Sequence, residues 1–362
     1  MNKFFEVWSD KWVIPQTAYD RNTVDYFIDN QNKIDPNPVL FCLEEEDIGE
    51  NCEREELIKK CEKLPLNFTF IYGASKDYTH ELNFYHKESN GYCYPGKHIF
   101  WDLAWLYKSA INFQDNYPVI SVEDRKYIHN PKYHFLSMNC NPRYYRCRMV
   151  DLLYKNNLDK DNLITWHLPE NPQAQNYKWE YFDNTYQNNF DNKFERTPEG
   201  WPYVEKFPIR NSYNIPDEYY NSAFQVVSET SLNTAFYTEK TFIPLFLGKP
   251  FIIFASPYSN LKLRKYGFKL YDQIFNYNFD KILSWEDRVE AYVDEIKRVT
   301  QKYSPEDIYN ILRDAAQYNR KVAIDILKNK KFIPKELIKI WAEHKEDILF
   351  DTDTGVWLNK VL

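Results

Sequence analysis

Two apolar runs with a polar turn and a short helix between them constrain this chain more than any other feature. Ala223-Phe224-Gln225-Val226-Val227 and Phe251-Ile252-Ile253-Phe254 are too short for helices and lack strict polar alternation, as expected of strands buried on both faces. Strand, helix and strand in succession are the repeating unit of a parallel sheet. Such sheets bind ligands beyond the carboxyl ends of their strands. Glu229 and Glu239 fall at that edge, ten positions apart, and Lys240 directly follows the second. The block describes a pocket for a polar ligand that carries both hydroxyls and negative charge.

The rest of the chain extends this pattern in both directions. Its length of 362 residues favours two domains. Residues 1–125 are expected to form an N-terminal α/β unit. It would hold strands at Val39-Leu40-Phe41-Cys42-Leu43 and Phe68-Thr69-Phe70-Ile71-Tyr72, a helix over 54–63 and a further apolar element over 98–110. A mixed-charge linker over 118–131 leads to a second unit, residues 126–280. This opens with the strand Tyr133-His134-Phe135-Leu136-Ser137-Met138 and the turn Asn139-Cys140-Asn141-Pro142. The following helix carries Arg143, Arg146 and Arg148 in its first turns and buries Met149, Leu152 and Leu153. A strand over 163–166, an irregular stretch over 168–215 and a helix over 260–266 complete the unit. Residues 281–362 read as helices over 285–302, 305–328 and 335–345. Ser304 and Asp307 open the second of them in the manner of a capping box.

Bulk properties narrow the function. The net charge is −7, with no basic tail, which argues against a dedicated nucleic-acid binder. Six cysteines form no CxxC pair and no zinc-like spacing with histidine. The N-terminus lacks the apolar core of a signal peptide, and no stretch approaches the roughly 20 apolar residues that span a bilayer. A cytoplasmic protein without a membrane span is expected. Thirty Tyr, 25 Phe and 10 Trp against eight Gly reflect an AT-rich coding genome, as in a virus, phage or bacterium, more than a set of stacking platforms. For a viral protein the compartment would be the host cytoplasm.

Arginines at a helix start oppose the helix dipole unless an anion is bound there. Arg143 and Arg146 therefore point to a phosphate site, and Thr238 and Lys240 at a second strand end would complete the frame of one diphosphate. Glu229 and Glu239 suit the hydroxyls of a ribose or sugar, which carboxylates bind as acceptors. The plainer alternatives are arginines paired with surface acids and carboxylates that only serve a helix start.

These residues resemble a known family. Asn139-Cys140-Asn141-Pro142-Arg143-Tyr144-Tyr145-Arg146, with Leu153 further along, looks like the SNxNPxxxRxxYYxxL segment of α1,3-fucosyltransferases. Residues 223–240 resemble the FxxxFENSxxxDYITEK signature of the same enzymes, including the spacing of the two glutamates. The resemblance covers residues 130–275. It implies an α/β fold of the GT-B type, with two Rossmann-like domains, here followed by a helical C-terminal segment. The donor would bind the C-terminal domain and the acceptor the N-terminal one. Arg146 matches the arginine that contacts the donor diphosphate, Glu239 the glutamate on the ribose and Lys240 the lysine facing phosphate. Glu229 matches the glutamate near the sugar and would be a catalytic residue, and Asn139 matches the asparagine of the turn. Thr230, Phe236 and Met138 stand where the family has asparagine, aspartate and serine.

The implied activity is transfer of a sugar from a nucleotide-sugar donor to a hydroxyl of a glycan or glycoconjugate, metal-independent and inverting. The donor is a co-substrate, a GDP-linked sugar being one candidate, and no separate cofactor is expected. Inversion needs a general base. Glu44, in Val39-Leu40-Phe41-Cys42-Leu43-Glu44-Glu45-Glu46, is a loose analogue of the family's base in its WxWxxLES context, with Glu45 in reserve. His80, Glu81, His98 and Asp102 are further options. Two DxD sequences, at Asp159 and Asp161 and at Asp351 and Asp353, would suit a metal-dependent transferase but lie away from the expected site. Two other functions fit the same residues: a non-catalytic nucleotide-sugar or glycan-binding module, and a glycosyltransferase acting on modified DNA bases.

Overall fold

A computed structural model of the chain describes residues 131–139, 141–166, 171–184, 217–230 and 236–329, with isolated positions at 103, 106, 232, 331, 332 and 335. It also gives the backbone of five short strands nearer the N-terminus. The chain divides into two compact units. One comprises residues 1–105, 233–236 and 327–362, and the other residues 106–232 and 237–326.

The first unit is built on a five-stranded sheet in the order β1-β2-β3-β4-β5. Its strands are β1 (Glu6–Trp8), β2 (Lys11–Ile14), β3 (Leu40–Leu43), β4 (Thr69–Tyr72) and β5 (Lys97–Phe100). β1 and β2 are antiparallel, and every later pair is parallel. β3 and β4 lie where the apolar runs after Pro38 and Asn67 predict them. β1 and β2 have no such signal, being three and four residues long with charged residues at their ends. The expected helix over 54–63 and the expected helix over 335–345 lie outside the described residues, apart from position 335.

The second unit is a parallel sheet in the order β7-β6-β8-β9. Its strands are β6 (Tyr133–Asn139), β7 (Leu163–Trp166), β8 (Ser222–Ser228) and β9 (Phe251–Phe254). Every residue of β7, β8 and β9 is buried, as expected of a parallel sheet covered on both faces. The helices that connect these strands are α1 (Tyr144–Lys155), α2 (Pro172–Asn176), α3 (Asp217–Tyr220) and α4 (Glu239–Leu247). After β9 come α5 (Ser259–Lys262) and a 3₁₀ turn at Leu263–Tyr266. The expected helix over 260–266 is thus split, and Gly267, at φ 88, ends it in the left-handed region.

Two long helices close the second unit, α6 (Trp285–Lys302) and α7 (Pro305–Lys328). Each is amphipathic. α6 buries Val289, Tyr292, Val293, Ile296 and Val299, and the Tyr292 hydroxyl donates to the carbonyls of Val227 on β8 and Ile252 on β9, at 3.2 and 2.9 Å. At the start of α7, the Ser304 hydroxyl accepts from Asp307 N at 3.1 Å while the Asp307 carboxylate accepts from Ser304 N at 3.2 Å. This is the reciprocal cap that the sequence predicts. Residues 171–184, the described part of the stretch after β7, are tied to α1 by the buried Asp151 carboxylate. Asp151 Oδ1 accepts from the backbone N–H groups of Tyr181 and Phe182 at 2.8 and 3.0 Å, which holds Phe182 against Trp166 and Trp179. Among the described residues, no helix is long and apolar enough to cross a membrane.

Candidate functional site

The strand order locates the site. From β6 the chain crosses outward to β7 on one side, and from β8 it crosses to β9 on the other. With right-handed crossovers, α1 and α4 then cover opposite faces, and a crevice opens between the carboxyl ends of β6 and β8. The register pairs Ser137 with Val226, so Asn139 and Ser228, two residues on, end their strands side by side.

Two helices begin at this crevice, and they differ electrostatically. α4 is neutralised. Thr238 is its N-cap and accepts from Lys240 N, Glu239 stands in its first turn, and Glu229 lies beneath it. Glu229 is 0% exposed, and both of its carboxylate oxygens are occupied. Oε1 accepts from Thr238 N at 3.0 Å and from the Thr241 hydroxyl at 2.5 Å, and Oε2 accepts from the Thr238 hydroxyl at 2.6 Å. Burial raises the Glu229 pKa, while the Lys240 charge and the bonds from Thr238 and Thr241 pull it back down. The Lys240 ammonium donates to Glu239 Oε1 at 2.6 Å, to the Thr238 hydroxyl at 3.3 Å and to the Thr230 hydroxyl at 3.5 Å. Thr230 therefore belongs to this network as one of the Lys240 acceptors.

α1 is the opposite case. Its N-cap is Arg143, no side chain caps it, and its first turn holds no acidic residue. Its first amides and partial positive charge lie at the crevice, and among the described residues no side-chain cap and no first-turn carboxylate offsets them. Tyr145 and Arg146 tie this helix start to the end of β8. The Tyr145 hydroxyl donates to the carbonyls of Glu229 and Thr230 at 2.8 and 2.6 Å. Arg146 donates from Nη1 to Asn141 O at 2.8 Å and from Nη2 to the carbonyls of Ser228 and Glu229 at 3.3 and 3.0 Å. The residue expected to contact a diphosphate is thus also a strap between two loops.

Asn139 Oδ1, Ser228 Oγ and Arg146 Nε at this place lack a hydrogen-bond partner among the described residues. Asn139 is 2% exposed and Ser228 3%. Asn139 is held in position by its own amide, which donates to the Ser137 hydroxyl at 3.0 Å, and by its backbone N–H, which donates to the Thr165 hydroxyl at 3.0 Å. Buried polar groups are nearly always bonded, so an acceptor, a donor and a hydroxyl left over in one place mark where a polar ligand completes the set.

Asn139, Arg143, Arg146, Glu229, Thr238, Glu239 and Lys240 therefore gather at one edge of one sheet. Arg148, expected with Arg143 and Arg146, instead pairs with Glu290 of α6 at 2.6 Å. Asp159 and Asp161 lie in the turn between α1 and β7, at the amino edge of the sheet and away from the crevice. Cys147 is buried, which pushes its thiol up to about 12 and leaves it unreactive. Glu44, Glu45, His80, Glu81, Asp102, Asp351 and Asp353 lie outside the described residues, and of His98 only the backbone, in β5, is described. Ser228 and Tyr145 were not legible as site residues. Ser228 reads as the first polar residue after an apolar run, and Tyr145 as one of two adjacent tyrosines on a helix. No protein-family profile, curated protein or solved structure matches this chain.

Proposed function

We propose that the chain is a glycosyltransferase that takes a nucleotide sugar as donor, with the donor diphosphate at the N-terminus of α1. One observation carries this reading: an uncapped, arginine-bearing helix start that faces a switch-point crevice over buried polar atoms without partners. The resemblance of residues 130–275 to α1,3-fucosyltransferases supplies the reaction. The acceptor hydroxyl oxygen attacks the anomeric carbon, the bond from that carbon to the diphosphate oxygen breaks, and the nucleoside diphosphate leaves. A carboxylate takes the hydroxyl proton, and Glu44 in the first unit is the nominee. Arg143 and the α1 amides stabilise the charge that grows on the diphosphate, so no metal is required in this scheme. Glu239 and Lys240 belong to the ribose and phosphate side, and the crevice edge at Asn139 and Ser228 takes hydroxyls or phosphate oxygens. A two-domain arrangement of the GT-B type, with the acceptor on the first unit, is part of the proposal.

Glu229 enters as a support. A carboxylate that is fully buried and bonded three times by α4 holds the donor loop in shape and does not exchange protons with an acceptor. This same observation favours the second reading, a nucleotide-sugar-binding module without turnover. Release of nucleoside diphosphate from a panel of nucleotide sugars separates the two readings.

Thermal unfolding with nucleoside diphosphates and nucleotide sugars, in buffer free of divalent metal, tests what the readings share. A ligand at a hundredfold its Kd adds about 2.7 kcal/mol to stability, a shift of several degrees. At least one nucleoside diphosphate is expected to give it. Indifference to the whole panel would refute the donor site.

A further inference from the structure

One more residue at this sheet edge is built in an unusual way. Tyr258, in the loop after β9, is 45% exposed and sits at φ 63, ψ 8 in the left-handed region. A bulky L-residue is disfavoured there, and glycine is the usual occupant. The surrounding structure holds the loop in place. Asp280 O accepts from Tyr258 N, and the Asp280 carboxylate accepts from Asn260 Nδ2 at 2.9 Å and from Leu261 N at 3.0 Å. Asn260 is itself bolted to β9, accepting from Ile253 N at 2.9 Å and donating to Ile253 O at 2.8 Å. From α6, the buried Arg288 donates to Ala255 O at 2.9 Å. On the crevice side, Ser259 O accepts the Tyr237 hydroxyl at 2.7 Å, next to the N-cap of α4. Strand, helix and loop together fix a strained backbone from which an aromatic ring projects. Strain of this kind collects where a ligand is gripped.

The place of β9 in the sheet points to what the ring would grip. β9 lies two strands from β6 in the sheet, a lateral distance of about 10 Å at about 4.8 Å per strand. That is close to the reach of a nucleoside diphosphate from phosphates to base. We infer that Tyr258 stacks on the base of the nucleotide whose phosphates lie at α1. The inference rests on the donor site proposed above and adds a base-recognition residue to it. An aromatic face accepts every base, so the stack sets affinity more than base choice.

Calorimetric titration of the full chain with inorganic pyrophosphate and with nucleoside diphosphates tests both layers. The wild type is expected to bind pyrophosphate weakly and its preferred nucleoside diphosphate more tightly. Tyr258→Ala should weaken the nucleoside diphosphate about tenfold, the effect of losing one base–aromatic stack, and leave pyrophosphate unchanged. Tyr258→Phe should retain the affinity. Tyr258→Gly should raise the melting temperature by relieving the backbone and still lose the nucleotide, a combination that a purely structural tyrosine would not give. Undiminished nucleoside diphosphate binding by Tyr258→Ala overturns the stack and leaves the phosphate site standing. A loss confined to nucleotide sugars overturns it in favour of contact with the transferred sugar. Failure of the wild type to bind either ligand refutes the phosphate site and the stack together.

Discussion

Replacing Arg146 with methionine is expected to destabilise the ligand-free protein by about 3 kcal/mol, seen as a lower midpoint in urea with an unchanged slope. The guanidinium is buried and gives hydrogen bonds to Asn141 O, Ser228 O and Glu229 O. Its loss takes this donor from all three carbonyls, leaving Glu229 O with the Tyr145 hydroxyl, and unsatisfied buried groups cost more than the bonds gained in making them. Arg146→Lys should recover only part of the loss. A single ammonium on a flexible stem does not reproduce the planar fork that reaches both loops. Were Arg146 only a phosphate ligand, its replacement would leave the ligand-free stability within about 0.5 kcal/mol of wild type. The structure predicts that binding and stability fall together, because the strap also aims the N-terminus of α1 at the crevice.

The second large effect lies at the other end of the same sheet. Lys249, just before β9, is buried and donates to Tyr219 O at 2.6 Å and to Ser222 O at 2.5 Å, with its ammonium 4.7 Å from the centre of the Tyr219 ring. Burial lowers its pKa from 10.5 to about 7. A lysine depressed in the fold costs stability wherever it must be charged. Between about pH 7 and pH 10.5 the unfolded chain keeps a proton that the native chain has released, so stability rises with pH through that window. The expected slope is about 1.4 kcal/mol per pH unit. Lys249→Met should remove it, so the quantity to read is the difference between wild type and variant from pH 7 to pH 8.5. The Cys147 thiol, raised to about 12, works in the opposite direction only at higher pH. A wild-type profile that parallels the variant would show that Lys249 stays charged in the fold, held by its two carbonyls.

How much of this was legible beforehand depends on the kind of signal. β7 at Leu163–Trp166 and helices α6 and α7 match their predicted bounds, because long periodic patterns and a serine–aspartate cap are local features. β8 and β9 were legible as short runs, apolar but for Gln225, and their parallel pairing follows from the helix that connects them. β1 and β2 were not, since Glu6 and Lys11 open them and no apolar run like those of β3 or β4 marks them. That these residues share one edge of the sheet was legible, through the arginines after Asn139 and the Glu229–Glu239–Lys240 spacing. Their roles were not. Sequence places Glu229 at the mouth of a pocket, whereas the fold turns its carboxylate under α4 onto Thr238 and Thr241. Side-chain direction at a strand end depends on which helix starts above it, a tertiary fact. The threonines nine and twelve positions on were the only local hint. The left-handed Tyr258 gave no sign at all, since nothing in its neighbours asks for positive φ.

In the proposed donor site, the difference between the two helix starts directs the diphosphate to α1. The start of α4 has Glu239 in its first turn and Glu229 bonded to Thr238 and Thr241, whereas the first turn of α1 holds no carboxylate. The most direct test is calorimetric titration of nucleoside diphosphates, without divalent metal, into the wild type, Arg143→Ala and Lys160→Ala. Lys160 is exposed in the turn at the opposite edge of the sheet and serves as a control for overall charge. Loss of a charge-assisted phosphate contact predicts binding weakened about tenfold or more by Arg143→Ala and unchanged by Lys160→Ala. Equal affinities in all three proteins, or equal losses in the two variants, would contradict a diphosphate site at the N-terminus of α1.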